Sequence, residues 1–353
     1  MKHRFNYNWT LKDAVFTKDK GKVFSCFACG GGSTMGYKLA GFDVIGCNEI
    51  DPKMMECYIA NHQPKYSYLE PIQTFKDRKD LPKELYELDI LDGSPPCSSF
   101  SMAGNREKDW GKEKVFREGQ AEQVLDTLFF DFIDLAKELQ PKVVVAENVK
   151  GLLLGEATKY VAKIYEEFEN AGYYIQHFLL DASKMGVPQR RERVFFIALR
   201  KDLATPFLQQ FGFFEQRPNL ELKFNEKEII YHQIKEGVGK KASPLYYERW
   251  LKRENTDTSF GNITERISGS ASCFSDVFAK DNLPLPTITA KAGIYDFNTG
   301  HFVSEKSLKS AGTYPQDYNF LGNKEGYLIG MSVPPVMTAQ IATEIYNQWL
   351  SKI

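Results

Sequence analysis

Four clusters in the 353-residue sequence combine residue types and spacings suited to chemistry. Cys97 closes the run Ser94-Pro95-Pro96-Cys97 and is followed by Ser98, Ser99, Phe100 and Ser101. A thiol in a rigid proline turn, among hydroxyls, can serve as a nucleophile once deprotonated. Glu147-Asn148 follows the apolar run Val143 to Ala146, where a carboxylate can keep a proton and act as an acid. Gln189-Arg190-Arg191-Glu192-Arg193 concentrates guanidinium groups able to stabilise negative charge. Phe27-Ala28-Cys29-Gly30-Gly31-Gly32, with Glu49 further on, suits a nucleoside cofactor: glycines admit the ligand to the backbone and the acid accepts from ribose hydroxyls. Taken singly, each has an ordinary reading as well. A cysteine is often a small buried residue, an acid-amide pair can be a cap, a charge run can be a solvated face, and a glycine turn can simply need positive φ.

These residues need elements to position them. Lys22 to Ala28 reads as a buried strand entering the glycine turn, Met35 to Ala40 as a helix, Asp43 to Cys47 as a second strand ending at Asn48 and Glu49, and Pro52 as the start of another helix. Tyr86 to Leu91 reads as a further strand, halted by Asp92, Gly93, Ser94, Pro95 and Pro96. Leu125, Leu128, Phe129, Phe132, Leu135, Ala136 and Leu139 recur at helical spacing within Glu118 to Leu139. Val143 to Ala146 predicts a strand, Ala157 to Ala171 a helix, and Tyr173 to Leu180 and Val194 to Leu199 two more strands. Strands alternating with helices of this length predict an α/β fold: a doubly wound, mostly parallel sheet with ligands at the strands' carboxyl ends. The glycine turn, Cys97 and Glu147 all fall on that edge. Beyond Lys201 the periodicity fades into a smaller, irregular region with strand-like pieces such as Thr287 to Thr289, and Val336 to Leu350 returns to a helical pattern.

Composition bounds the alternatives. With 42% hydrophobic and 26% charged residues the chain is globular rather than disordered, and its length suggests two domains. The 45 Lys and Arg against 46 Asp and Glu give a net charge of −1, so a nucleic-acid partner would need a local basic surface. No run reaches the length of a membrane helix and the start lacks a signal peptide's apolar core, so a cytoplasmic protein without membrane attachment is expected. Six cysteines without framework spacing read as reduced thiols. The single pair Cys26 and Cys29 has no second pair to complete a zinc site, so no metal is expected. A zinc nucleobase deaminase would need H-x-E and P-C-x-x-C, which are absent, and a dinucleotide oxidoreductase would need a different glycine spacing.

Together the clusters resemble the cytosine-5 DNA methyltransferases of prokaryotic or phage modification type. The resemblance runs from about Val23 to Arg200 and resumes at Pro286. It rests on FACGGG with Glu49, GSPPCSSFS, ENVKG, QRRER within VPQRRERVFFIALR, PTITA at Pro286 to Ala290, TYPQDY at Thr313 to Tyr318 and GMSVPP at Gly330 to Pro335. It implies an S-adenosylmethionine-dependent methyltransferase fold and methyl transfer to carbon 5 of a specific cytosine in double-stranded DNA. The base would be flipped from the duplex and Cys97 would add at carbon 6. Glu147 would engage N3 and the exocyclic amine, Arg193 and Arg191 the O2 edge, Asn148 would orient the loop, and Ser98 to Gly119 would close over the site. The implied S-adenosylmethionine pocket comprises Phe27, Ala28, Gly30, Gly32, Glu49, Ile50, Pro96 and Leu128, with Ser332 from the tail. Cys29 and Met331 depart from the glycine and asparagine usual in this pattern, and Glu70 or Pro71 stands where an acid near the adenine amine is expected.

The implied domains are 1–200 with 322–353 for catalysis and cofactor binding, and 201–321 for target recognition, with a variable part at 201–283. Tyr246-Tyr247-Glu248-Arg249-Trp250-Leu251-Lys252-Arg253 mixes aromatics and cations, suiting either DNA contact or a small core beneath a charged surface. The resemblance also implies a monomer, nucleoid-associated when on DNA, with a cognate restriction endonuclease as a genetic partner. A tRNA cytosine-5 methyltransferase of the same fold is the alternative, faintly echoed by Ser272-Cys273-Phe274-Ser275. A non-catalytic nucleic-acid binder would be expected only had Cys97 or Glu147 been lost.

Overall fold

A computed structural model describes residues 3–96, 113–114, 123–124, 127–155, 157–211, 215–269, 272–290 and 293–353. Cys97, most of the expected closing loop and Leu125 lie outside the described residues. The chain divides into two compact units, one of residues 15–180, 192–223 and 339–353, the other of residues 1–14, 181–191 and 224–338. This differs from a division at 200 and 321. Trp9, Leu11 and Lys12 hydrogen-bond to Thr313, Gln316 and Asp317 in the second unit, which accounts for the grouping of the N-terminal segment there.

The first unit is built on a seven-stranded sheet. Its strands are β1 (Lys22–Cys26), β2 (Asp43–Glu49), β3 (Tyr66–Leu69), β4 (Ile90–Gly93), β5 (Val143–Val149), β6 (Tyr173–Asp181) and β7 (Glu192–Arg200). They lie in the order β3-β2-β1-β4-β5-β7-β6. The pairs from β3 through β5 are parallel, whereas β7 runs antiparallel to β5. The expectation of a mostly parallel sheet therefore holds, with β7 antiparallel to β5. The direction reverses at β1, where β2 and β4 flank it on opposite sides, and such a switch point opens a crevice at the carboxyl edge.

Helix α1 (Gly32–Leu39) follows β1, and α2 (Pro52–His62) follows β2. Asp51 caps α2 by accepting from the Lys53 and Met54 amides, and Pro52 occupies the first turn, where its missing N–H costs nothing. Helix α3 (Leu128–Leu139) buries Phe129, Phe132, Ile133, Leu135, Ala136 and Leu139 and stops at Gln140 in a left-handed conformation. Helix α4 (Ala157–Asn170) buries Tyr160, Ile164 and Phe168. These faces close one continuous core with Phe24, Leu91, Val144 and Phe196 from the sheet.

Two local expectations are corrected. Tyr86 and Glu87 belong to a 3-10 turn, Lys83–Glu87, that follows Pro82, and the strand starts only at Ile90. Tyr86 is solvent-exposed, so its place in an apolar-looking run reflects composition rather than burial. Thr287 to Thr289 is not a strand; Leu285 alone makes a single bridge, to Gln189. In the second unit a small aromatic core gathers Trp250, Phe260, Ile263, Phe278 and Tyr295. Within the mixed segment Tyr246 packs on Phe260 and Tyr295, and the Arg253 guanidinium lies 3.9 Å from the Trp250 ring centroid. The core reading of Tyr246 and Trp250 is the one the structure bears out, while Tyr247 and Leu251 are exposed. No described helix is long and apolar enough to cross a membrane.

Candidate active site

At the end of β1 the backbone turns through Phe27, Cys29 and Gly31, all with positive φ. Gly31 needs its missing Cβ because any side chain would overlap the His62 ring. Burial pushes the His62 imidazole down to about 3, so the ring is neutral where it meets the Gly30 carbonyl at 3.3 Å. Cys29 adopts a left-handed φ of 48°, a conformation that glycine takes without strain, which is a physical reason for the glycine usual at this position.

The turn is pinned by Glu49, at the end of β2. Its Oε2 accepts from the Cys29 amide at 2.7 Å, and its Oε1 accepts from the amides of Ile50 and Asp51 at 2.9 Å each. Burial pushes the Glu49 carboxyl up, opposed by these main-chain donors. A carboxylate offers about four acceptor positions, so among the described contacts one is left for a ligand hydroxyl. That donor and acceptor set, beside a glycine turn at a switch point, fits the ribose of a nucleoside cofactor. Asn48 carries its amide to the Tyr68 and Glu70 carbonyls and so fixes the neighbouring wall. The Glu70 carboxylate is taken by Arg78 at 2.9 Å. β3, which the sequence reading missed, positions that wall; it is short and half exposed, with weak apolar patterning.

On the other side of the switch point, β4 runs beneath Phe132 with Gly93, where any Cβ would overlap the ring. The strand leads into Ser94, Pro95 and Pro96, with Cys97 next in sequence. Asn148 is buried, donates to the Pro95 carbonyl at 3.1 Å, and accepts from the Val149 amide at 2.8 Å. One side chain thus ties the end of β5 to the proline turn. Glu147 lies one residue earlier, and its Oε1 meets the Arg193 Nε at 2.9 Å, with 13% and 16% of the two side chains exposed. The antiparallel register of β7 makes this pair, since Val149 sits opposite Arg193 and Glu147 opposite Phe195. We expect Asn148→Ala to cost about 1–2 kcal/mol in thermal unfolding through the unsatisfied Pro95 carbonyl. Turnover should fall more than the unfolded fraction accounts for, a difference that activity measured well below the melting transition will show.

The remaining site candidates are placed differently. Leu128 is fully buried at the start of α3, Ala28, Gly30 and Gly32 are buried, and Phe27, Ile50 and Pro96 are partly exposed. Arg191 belongs to the second unit, where it is buried and its guanidinium donates to the Ile288 carbonyl at 2.9 Å and the Gly330 carbonyl at 3.0 Å. Gln189 acts alongside it, donating to the Ala311 carbonyl and accepting from the Ile288 amide. The QRRER run therefore carries two kinds of residue: Gln189 and Arg191 bind main chain within the second unit, and Arg193 pairs with Glu147 on the sheet. Ser332 is also in the second unit, accepting from the Tyr314 hydroxyl at 2.7 Å and donating to the Leu328 carbonyl at 2.9 Å. Asp92, absent from the sequence candidates, is buried in β4 five residues before Cys97. Its signal was an acid inside an otherwise apolar strand run.

Comparison with known proteins follows this geometry. A family model described as C-5 cytosine-specific DNA methylase matches residues 21–347. The chain is 39% identical over 183 residues to the Type II methyltransferase M.FnuDI of Fusobacterium nucleatum, covering 52% of this chain and 48% of that protein. It is 35% identical over 187 residues to M.NgoPII of Neisseria gonorrhoeae, covering 53% and 50%. The match thus spans about half the length of these two relatives. A match to M.DdeI of Desulfomicrobium norvegicum covers 92% of this chain and 88% of that protein at 27% identity. Among solved structures, an E. coli prophage protein described as a DNA modification methyltransferase aligns with a TM-score of 0.64 at 20% identity, over 93% of this chain and 99% of that one. Spodoptera frugiperda DNMT2 aligns with a TM-score of 0.62 at 16% identity, over 92% and 99%. Both share the fold described above.

Proposed function

The chain belongs to the C-5 cytosine-specific DNA methylase family, and we propose that it transfers a methyl group from S-adenosylmethionine to carbon 5 of a specific cytosine in double-stranded DNA. The observation that carries this reading is the joining of Glu147–Arg193 and Asn148–Pro95 at one sheet edge, immediately before Cys97. S-adenosylmethionine, when bound, supplies an electrophilic methyl on a sulfonium. We assign it to Phe27, Ala28, Gly30, Gly32, Glu49, Ile50, Pro96 and Leu128, on the strength of the Glu49 acceptor and the turn it pins.

The cytosine is flipped from the duplex, because its reacting carbons are inaccessible in the stack. The Cys97 thiolate adds to carbon 6, and the π electrons of the C5–C6 bond make carbon 5 nucleophilic. Glu147 holds a proton at N3 as charge builds on the ring, and Arg193 holds Glu147 in place and faces the O2 edge. Once carbon 5 is methylated, its proton leaves to a base. The C5–C6 double bond then re-forms and expels the thiolate. Arg191 is assigned here to positioning, through the Ile288 and Gly330 carbonyls, rather than to contact with the base.

The sheet unit carries the catalytic and cofactor-binding role in this reading, and the second unit carries target recognition. Double-stranded DNA is the macromolecular partner, and the Type II naming of the relatives supports a restriction endonuclease as a genetic partner. The protein acts as a monomer in the cytoplasm, nucleoid-associated on DNA. Incubation with radiolabelled S-adenosylmethionine and, in parallel, unmethylated duplex DNA and unmodified tRNA tests the reading after digestion to nucleosides. Label in 5-methylcytosine from DNA is the expected result. Label from tRNA alone would overturn the substrate, and label in neither would overturn the activity.

A further inference from the structure

Asp92 has no part in the mechanism above, yet it is only 4% exposed in the middle of the sheet. Its Oδ2 accepts from the Ser25 hydroxyl at 2.7 Å and its Oδ1 from the Tyr37 hydroxyl at 3.1 Å. Ser25 stands opposite Asp92 in the β1–β4 register, and Tyr37 projects from α1. The Ser33 hydroxyl, at the start of α1, is a third donor. The donors therefore flank the Phe27–Gly31 turn on both its strand side and its helix side, while the acceptor sits on the strand that leads to Cys97.

An ionised acid suits this arrangement, since two hydroxyls donate to its two oxygens at once and a protonated acid would turn one oxygen into a donor. Burial pushes the Asp92 carboxyl up to about 7 from an ordinary 3.8, against the pull of Ser25 and Tyr37. A folded-state value above the unfolded one means the contribution to stability is full below about pH 4 and is lost as pH rises through about 7. The charge is thus held at the fold's expense, a pattern typical of functional groups rather than packing.

We propose that Asp92 is a positioning residue of the cofactor site, which in its ionised form ties both arms of the Phe27–Gly31 turn to β4 and places a negative charge that favours a cationic sulfonium ligand over its neutral thioether product. The proposal rests on the reading that this turn holds S-adenosylmethionine. Other titratable groups facing Asp92 are Tyr37, Tyr58 and Cys26, which burial pushes well up and so keeps neutral, and Glu147, which has its own counter-charge in Arg193. Lys38, in the last turn of α1, is pushed down to about 8 by burial and titrates in the same range, a change that wild type and Asp92→Asn share.

Calorimetric titration of the full chain with S-adenosylmethionine and with S-adenosylhomocysteine, from pH 6 to 8.5, separates the outcomes. We expect the wild-type preference for S-adenosylmethionine to rise about tenfold across this range relative to Asp92→Asn, whose preference stays at the acidic wild-type level. Titration of the ligands' own amino groups cancels in that comparison. Tyr37→Phe loosens the tie and removes a donor that holds the carboxyl down, so it should weaken both ligands and move the rise in preference to higher pH without changing its size. A preference in wild type that does not change with pH, or one that persists in Asp92→Asn, would overturn the charge assignment. Full affinity of Tyr37→Phe for both ligands would overturn the tie. A folded wild type that binds neither ligand at any pH would overturn the methyltransferase reading, and this assignment with it.

Discussion

Cys97→Ser should lower methyl transfer to DNA by at least about 10⁴-fold, the scale expected when a covalent nucleophile is lost. A serine hydroxyl is almost wholly protonated at neutral pH, whereas a thiol reaches its anion far more readily. The substitution removes one sulfur and keeps the shape, and the Asn148–Pro95 bond that holds the preceding turn is untouched. Binding of DNA in a gel-shift assay and of S-adenosylmethionine by calorimetry should therefore stay within a few-fold of wild type. Duplex DNA carrying 5-fluorocytosine gives an independent readout, because carbon 5 then has no proton to lose and the carbon 6 adduct persists. Wild type should give a protein–DNA species stable to denaturation, and Cys97→Ser should give none. Retained turnover in the serine variant, or a trapped species without Cys97, would remove the covalent step from the mechanism.

Glu147→Gln should slow single-turnover methylation by about 10²–10⁴-fold while changing DNA and cofactor affinity little. Glutamine keeps the volume and one acceptor but cannot take up or return a proton at N3. The same change leaves Arg193 facing a neutral amide instead of a carboxylate at 2.9 Å, in a site where both side chains are mostly but not fully buried. We therefore expect a loss of about 1–3 kcal/mol in unfolding free energy, below the cost of a fully buried pair. The two consequences are separable: stability is read by thermal unfolding, chemistry by the rate constant with enzyme in excess over DNA. An unchanged rate constant in a destabilised variant would leave Glu147 a structural partner of Arg193 and nothing more.

Which parts of this site were legible in the sequence follows from the range of the interactions involved. Pro52 as the start of α2, the stripe of α3 from Leu128 and the apolar run of β5 were readable because capping, helical periodicity and β-branched composition are local signals. β3 was missed because Tyr66 to Leu69 is short and alternates between half-buried and exposed, so only pairing with β2 makes it a strand. The strand assigned to Tyr86 to Leu91 slipped because apolar composition does not reveal the 3-10 turn after Pro82.

The glycine turn, Glu49, the proline-cysteine run and Glu147 were all legible as chemistry, since each depends on residue type at close spacing. The sequence by itself determined the family, the fold class and the edge of the sheet on which these residues gather. What only tertiary structure decided is how they are partnered. The antiparallel entry of β7 brings Arg193, 46 positions from Glu147 in the chain, onto its carboxylate, whereas Arg191, two residues earlier, belongs to the second unit and is buried against carbonyls of that same unit. Alternation along one strand would put residues two apart on the same face, but the strand begins only at Glu192, and what Arg191 meets before it is set by long-range packing. The same holds for Asp92, whose significance lies in a serine on the adjacent strand and a tyrosine on a helix that no local pattern connects to it.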